Sequence, residues 1–161
     1  MEKSRELKHP FINPNNEIKI SELTDVHETI DFIMELFTKK NYQTIIISGL
    51  NKAIKKVVLI TEIIKSKIPG LHQLNEINSL YINNNGINDN EINNENAMPR
   101  MSIKLTFIEP SQEEKNNMGY QKPLNAMEAN LINKYRNNVN KEDYEWFYNG
   151  TIHKEKIIKQ S

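Results

Sequence analysis

The chain of 161 residues contains no cysteine, and this absence excludes a disulfide-stabilised scaffold, a thiolate metal site and a cysteine nucleophile. Glycine is also scarce. The five glycines are isolated from one another, so the chain has no glycine-rich phosphate-binding loop. No apolar run reaches the length of a signal peptide or of a membrane span. We therefore expect a soluble intracellular protein with no membrane partner.

An excess of charge of either sign is absent too. The 21 basic side chains are balanced by 21 acidic ones, which excludes a surface that is basic throughout. Any nucleic-acid site must therefore be a local patch. The hydrophobic share of 37% is below the average for globular domains, which predicts that part of the chain contributes nothing to the core.

The first half of the chain alternates strand and helix patterns. Residues 16–21 alternate polar and apolar side chains, as a half-buried strand does. Thr24 is then a suitable N-cap for a helix, whose apolar residues recur at helical spacing. This helix is predicted to end at about Lys39 or Lys40. The β-branched run at residues 44–47 predicts a second strand that is covered on both faces.

The pattern then repeats and adds two strands. Asn51 is the predicted N-cap of a second helix, which Pro69 and Gly70 end. Residues 71–82 are predicted to form the third strand, and the alternation over residues 103–107 predicts the fourth. The order β-α-β-α-β-β specifies an α/β fold, an α+β two-layer sandwich with the helices on one face of the sheet.

Three segments lie outside this pattern. Residues 1–15 have no periodicity and predict a flexible N-terminal arm. Residues 83–99 are rich in asparagine and predict a hairpin loop. Residues 124–161 combine helical spacing with a cluster of aromatic side chains. This C-terminal helical extension either docks on the domain or stacks on bases or a partner.

The second helix begins with a cluster of lysines. Lys52, Lys55 and Lys56 are spaced three and four residues apart and share one face. The helix dipole disfavours a cation at this end by roughly 0.3–1 kcal/mol. A phosphate would offset that cost, because it binds the free backbone amides and the ammonium groups together. On the pattern alone, a solvated lysine-rich face is an equally good interpretation.

The sequence offers no catalytic or metal-binding constellation. The four histidines are far apart and lack the spacing of metal ligands. Asp25, Glu28 and Asp31 lie about one turn apart, but this spacing is more typical of a solvated acidic helix face than of a metal site. We therefore expect no enzymatic activity, no metal and no cofactor.

Three motifs in order resemble the Alba family. Residues 47–57 read Ile-Ser-Gly-Leu-Asn-Lys-Ala-Ile-Lys-Lys-Val and resemble its strand–turn–helix signature. Residues 69–73 (Pro-Gly-Leu-His-Gln) and 118–123 (Met-Gly-Tyr-Gln-Lys-Pro) resemble two motifs of its eukaryotic branch. The resemblance implies an Alba-like nucleic-acid-binding domain over residues 16–123. It also implies RNA and/or DNA as ligand, a homodimer or a heterodimer with another Alba-like chain, and a place in the cytoplasm and/or nucleus.

The resemblance assigns site residues by position. Lys52 and Lys56 match basic residues at the helix start, Lys19 matches a basic position in the first strand, and Arg100 lies near the basic residue that opens the last strand. Asn51 and Lys55 are added as their neighbours at the helix start. The candidate nucleic-acid-binding residues are therefore Lys19, Asn51, Lys52, Lys55, Lys56 and Arg100.

Two segments depart from the family pattern. Residues 22–37 carry five acids and no lysine or arginine, and residues 83–99 carry three acids and no basic residue. The first segment would repel phosphate. The second would have low electrostatic affinity for it, although its asparagine side chains could still hydrogen-bond to bases or phosphates. Two functions therefore remain open. One is binding of nucleic acid, with RNA preferred over DNA, through the lysine patch. The other is that of a dimerising, protein-interaction subunit of a ribonucleoprotein such as RNase P or RNase MRP.

We predict that a chain ending at Pro123 still unfolds cooperatively, because the patterned strands and both predicted helices of the domain precede that residue. Thermal melting followed by circular dichroism tests this, with the full chain as the control. A broad, non-cooperative melt of the shortened chain would show that the extension belongs to the core.

Overall fold

The computed structural model describes residues 9–83, 86–87 and 97–138. Its elements, in chain order, are β1 Glu17–Ile20, α1 Val26–Thr38, β2 Thr44–Leu50, a 3-10 turn Asn51–Ala53, α2 Ile54–Lys67, β3 His72–Asn83, β4 Gly86–Ile87, β5 Ala97–Thr106, α3 Gln112–Lys115, β6 Tyr120–Gln121 and α4 Ala126–Asn138. This arrangement confirms the predicted α/β two-layer sandwich followed by a C-terminal helix.

The strands form one sheet in the order β1-β2-β5-β3, and the short strands β4 and β6 both pair with β3. β1 and β2 are parallel, because helix α1 returns the chain between them, whereas β2, β5 and β3 pair antiparallel. Alternate side chains point to opposite faces. One face therefore meets α1 and α2, and the other, which we call the open face, meets neither of these two helices.

The core lies between the sheet and the helices α1 and α2. Its sheet side is a layer of aliphatic side chains that are at most 1% exposed, namely Ile18, Ile45, Ile47, Ile103 and Leu105. Its helix side is equally apolar and consists chiefly of Ile33, Leu36, Val57, Ile60 and Ile64. Burial of these β-branched and leucine side chains is the main contribution to folding, at about 1.5–3 kcal/mol for each.

The start of α1 differs from the prediction. Asp25, not Thr24, is the N-cap, and its Oδ1 accepts a hydrogen bond from the Glu28 amide at 2.9 Å. Thr24 is instead buried, and its hydroxyl accepts from the Ser21 amide in the preceding turn. The helix then ends at Thr38.

The second and last strands also depart from the prediction. β2 is fully covered only on its helix side, because Ile46 on the open face is half-buried. The predicted loop over residues 83–99 is wrong in two places. Asn83 ends β3 and pairs with Gly86 of β4, and Ala97, Met98 and Pro99 pair with β3 as the start of β5. Pro99 is tolerated there, because β2 ends opposite Arg100 and no β2 ladder bond is lost. Residues 84–85 and 88–96 lie outside the described ranges.

Residues 9–15 of the predicted arm are attached to the domain. The Asn13 side chain accepts hydrogen bonds from the amides of Asn15 and Glu17, at 2.9 and 3.0 Å. Ile12 packs against the core, and the His9 ring lies 2.7 Å from a Glu28 carboxylate oxygen. Residues 1–8 lie outside the described ranges.

The two motifs that resemble the eukaryotic branch meet in space. β6 pairs with the start of β3, so that Gln73 lies opposite Gln121 and Leu74 opposite Tyr120. The Tyr120 hydroxyl and the His72 Nδ1 are 2.8 Å apart, and the two rings stack. These motifs therefore attach the segment after β5 to the edge of β3.

Helix α4 packs on α2. The Asn133 side-chain amide donates a hydrogen bond to the Ser66 carbonyl at 3.0 Å, whereas Met127 and Leu131 are exposed. This contact agrees with the docked-helix interpretation of the extension. The aromatic cluster at residues 144–148 lies outside the described ranges.

Gly119 makes the closest approach in this region. A Cβ atom at this position would lie 2.2 Å from the Asn75 carbonyl oxygen. The backbone amide of Asn75 donates a hydrogen bond to the Gly119 carbonyl at 2.8 Å. We predict that Gly119→Ala destabilises the fold by about 1–3 kcal/mol, because backbone must move to admit the methyl group. Urea unfolding measures this loss. Met118→Ala, at a fully exposed neighbour, is the control, and equal stability of the two variants would contradict the prediction.

Candidate nucleic-acid interface

The candidate residues gather at one edge of the sheet. β1 and β2 are parallel, so their carboxyl ends lie together, with Ile20 opposite Gly49. The antiparallel strand β5 adds Arg100 opposite Leu50, and α2 begins directly after this point. We call this region the basic edge; it is formed by Lys19, Lys52, Lys55, Lys56 and Arg100.

Close packing fixes the start of α2 against the end of β2. A Cβ atom on Gly49 would lie 2.7 Å from Val57 Cγ2 and 3.2 Å from the Ala53 methyl group. Asn51 turns the chain in a left-handed conformation, with φ of 50°, which asparagine tolerates better than most residues. The Asn51 side chain does not cap α2, whose N-cap position is Ala53 without a side-chain hydrogen bond. The prediction of Asn51 as the N-cap is therefore wrong.

Three candidate cations are accessible to a ligand. Lys52 lies in the 3-10 turn, Lys55 in the first turn of α2, and Lys19 on the open face of β1. All three are exposed, and none makes an ion pair or a side-chain hydrogen bond with the described part of the chain. The signature over residues 47–57 thus divides into the packing residues Gly49 and Ala53 and the solvated lysines Lys52 and Lys55.

Lys56 has partners within the protein. Its ammonium group donates hydrogen bonds to the Glu22 carbonyl at 2.7 Å and to the Thr24 carbonyl at 2.8 Å. Burial lowers the pKa of Lys56, while the carboxylates of Asp25 and Glu22 oppose that shift. The backbone carbonyls of the loop between β1 and α1 therefore stabilise this cation, which the helix dipole disfavours at the start of α2. No phosphate is needed to explain Lys56.

Arg100 is also engaged. Its Nη2 donates to the Glu17 Oε1 at 2.7 Å, and the same oxygen accepts a hydrogen bond from the Ser48 hydroxyl at 2.5 Å. No sequence pattern indicates a role for Glu17, because it lies 83 residues before Arg100 and reaches it across β2. Knowledge of the strand order would have identified the pair.

The remaining lysines of α2 do not extend the basic edge. Lys65 is 3% exposed, and its ammonium group donates a long hydrogen bond of 3.3 Å to the Gln121 side chain. Burial lowers the pKa of Lys65, against the opposing effect of Glu62 and Glu128. Lys67 is exposed but lies about 18 Å along the helix from Lys55, at 1.5 Å per residue.

The outer surface of α1 has the opposite charge. Glu28, Asp31 and Glu35 are exposed on this helix, and Glu22 is exposed in the loop before it. Hydrogen bonding to Glu28 raises the pKa of His9. This acidic surface would repel phosphate, as the sequence predicts, so a nucleic acid at the basic edge must avoid α1.

Within residues 9–83, 86–87 and 97–138, no cluster of three or more histidine or acidic side chains is arranged to bind a metal ion. No helix in those ranges combines the length and the apolar character that a membrane span requires.

Comparison with known proteins finds a family model, a curated relative and a solved structure that resemble the chain. A family model described as Alba matches residues 16–80. A relative from Plasmodium falciparum (isolate 3D7), named DNA/RNA-binding protein ALBA2, is 30% identical over 155 residues, which cover 73% of this chain and 72% of the relative. Among solved structures, Alba from Thermoplasma volcanium is 18% identical, with a TM-score of 0.44, over 56% of this chain and 98% of that chain.

The different surroundings of Lys55 and Lys56 predict different effects of the same substitution. We expect Lys56→Met to lower the free energy of unfolding by about 1 kcal/mol, because two backbone carbonyls lose a charged donor. Lys55→Met should change it by less than about 0.5 kcal/mol, since Lys55 is solvated. Urea unfolding measures both. A Lys56→Met variant as stable as Lys55→Met would show that the two hydrogen bonds contribute nothing.

Proposed function

The chain belongs to the Alba family, and from this membership we propose that it binds nucleic acid through the phosphate backbone at the basic edge, without a catalytic step. The relative from Plasmodium falciparum is named as a DNA/RNA-binding protein, which supports the same ligand class here. The six candidate residues then have different roles, because only some of them have free side chains.

The observation that carries the proposal is the placement of solvated lysines at one edge of the sheet. Lys52 and Lys55 flank the buried Ala53, and Lys19 approaches from the neighbouring parallel strand. Three ammonium groups without a partner in the described ranges are free to replace the counterions of a phosphate backbone. Lys56 instead positions the adjoining loop through its two hydrogen bonds.

We propose RNA, and single-stranded RNA in particular, as the preferred ligand. Three free lysines can neutralise only a few phosphates, whereas tight non-specific binding of duplex DNA depends on many. Single strands also present unstacked bases and 2′-hydroxyl groups to hydrogen-bonding side chains. Asn51 in the turn and Asn78, paired with Arg100 across β3 and β5, are exposed at the same edge and would supply such groups.

The acidic surface of α1 favours a second candidate function. Glu28, Asp31 and Glu35 form a negative face that fits a basic protein better than a phosphate backbone. A dimerising subunit of an RNase P- or RNase MRP-like ribonucleoprotein would use this face for its partner. It would then contact RNA mainly through that partner.

Fluorescence anisotropy with single-stranded RNA, duplex RNA and duplex DNA, each across a salt series, separates the two functions. The proposal predicts tightest binding to single-stranded RNA, with a log–log salt slope of about −2, as expected when three phosphates of a single strand are neutralised. Absence of binding by the isolated chain to all three, even at low salt, would contradict it and support the partner-dependent subunit.

The double substitution Lys52→Glu and Lys55→Glu tests the site itself. We expect it to remove most of the affinity and to reduce the magnitude of the salt slope by about 1.4, since two phosphates of a single strand are no longer neutralised. The matched control is Lys39→Glu with Lys67→Glu, which makes the same change of net charge at exposed lysines away from the edge. Equal losses in the two folded variants would show that only net charge matters.

A further inference from the structure

A polar bridge crosses three strands on the open face. Glu17 on β1 and Arg100 on β5 are ion-paired above β2, with 2.7 Å between the carboxylate oxygen and Nη2. The Ser48 hydroxyl of β2 donates to the same carboxylate oxygen at 2.5 Å. One oxygen of Glu17 thus accepts from a guanidinium and from a hydroxyl at once.

Burial shows that this arrangement is built into the sheet. Ser48 is only 2% exposed although it lies on the face opposite α1 and α2, and the ion pair lies above it. The side chains of Glu17 and Arg100 are 13% and 28% exposed. Burial raises the pKa of Glu17, but the hydrogen bonds from the Ser48 hydroxyl and the Arg100 guanidinium lower the pKa by more than burial raises it. The net shift is downward, so the carboxylate is ionised at neutral pH.

The groups that bind this carboxylate also suit a phosphate. A guanidinium presents a fixed fork of N–H donors to carboxylate and phosphate oxygens alike, and a serine hydroxyl donates readily to either. Arg100 lies close to the free lysines of the basic edge, since its register partner Leu50 is followed by Asn51 and Lys52. A nucleic-acid strand that contacts the lysines of the basic edge would therefore pass close to an anion site that the Glu17 carboxylate already occupies.

We propose that Arg100 and Ser48 form a further phosphate subsite for nucleic acid, which the Glu17 carboxylate occupies as an intramolecular competitor. The resting protein then binds through the free lysines alone, and Arg100 contributes nothing until Glu17 is displaced. The inference rests on the proposed function. The plainer alternative is that the bridge only attaches the edge strand β1 to β5.

The substitutions Glu17→Gln and Glu17→Ala separate these alternatives. Both remove the competing charge, and Glu17→Ala also removes the amide oxygen that could still accept from Arg100. We expect each to bind single-stranded RNA roughly fivefold more tightly at low salt, with a salt slope steeper by about 0.7, the contribution of one further phosphate. Binding is measured by anisotropy on the full chain, at a temperature where circular dichroism shows every variant folded.

Two controls make the test specific. Glu76→Gln removes one exposed negative charge from the same face, on the position opposite Ser102, and should change affinity less than Glu17→Gln. The double variant Glu17→Gln/Arg100→Gln replaces an ion pair, whose net charge is zero, with two uncharged side chains. We expect its affinity and slope to return to those of the unmodified chain.

The outcomes distinguish this inference from the proposed function. If the unmodified chain binds RNA and neither Glu17 variant gains affinity, the competitor assignment is overturned while the basic edge stands. A double variant that binds more weakly than the unmodified chain would overturn it too, because Arg100 would already contact phosphate. If neither the unmodified chain nor any variant binds at low salt, the proposed function itself fails.

Discussion

The aliphatic layer of Ile45, Ile47, Ile103 and Leu105 determines where the remaining elements lie. These side chains are at most 1% exposed, and they belong to the central strands β2 and β5, so both helices must cover this one face of the sheet. Because α1 crosses over the layer between two parallel strands, the ends of β1 and β2 meet at a single edge, where α2 begins. The lysines of that edge are brought together by core packing, and they remain solvated because nothing packs on them among the described residues.

Local pattern was sufficient to predict the order of the main elements, since alternation along 16–21 and 103–107 and the apolar periodicity of both helices depend on neighbouring residues. It could not predict how the charged side chains are paired. Lys55 and Lys56 are adjacent in sequence, yet only Lys56 reaches the carbonyls of the β1–α1 loop, 32 and 34 residues away. The bridge from Glu17 to Arg100 spans 83 residues and depends on a strand order that no local pattern encodes. The same holds for Pro99, whose strand conformation depends on pairing with Ser79.

The scarcity of glycine noted in the sequence has a structural counterpart. Three asparagines, Asn16, Asn41 and Asn51, have positive φ values near 50–58°, the conformation for which glycine is the usual choice. Two glycines remain where contact leaves no room for a Cβ atom, Gly49 against Val57 and Gly119 against the Asn75 carbonyl. Two of the three motifs that resemble the Alba family therefore contain a residue required for close packing. In the first motif, Lys52 and Lys55 are exposed and free to contact a ligand.

The central claim is that nucleic acid binds where β1, β2 and the start of α2 meet. Titration of the isotope-labelled chain with single-stranded RNA, followed by amide chemical-shift changes in NMR spectra, tests this claim most directly. We predict that the largest changes fall on residues 49–55 and at the end of β1, with little change on the exposed acidic side of α1. Changes confined to α1 or α4, or no changes at low salt, would contradict the claim.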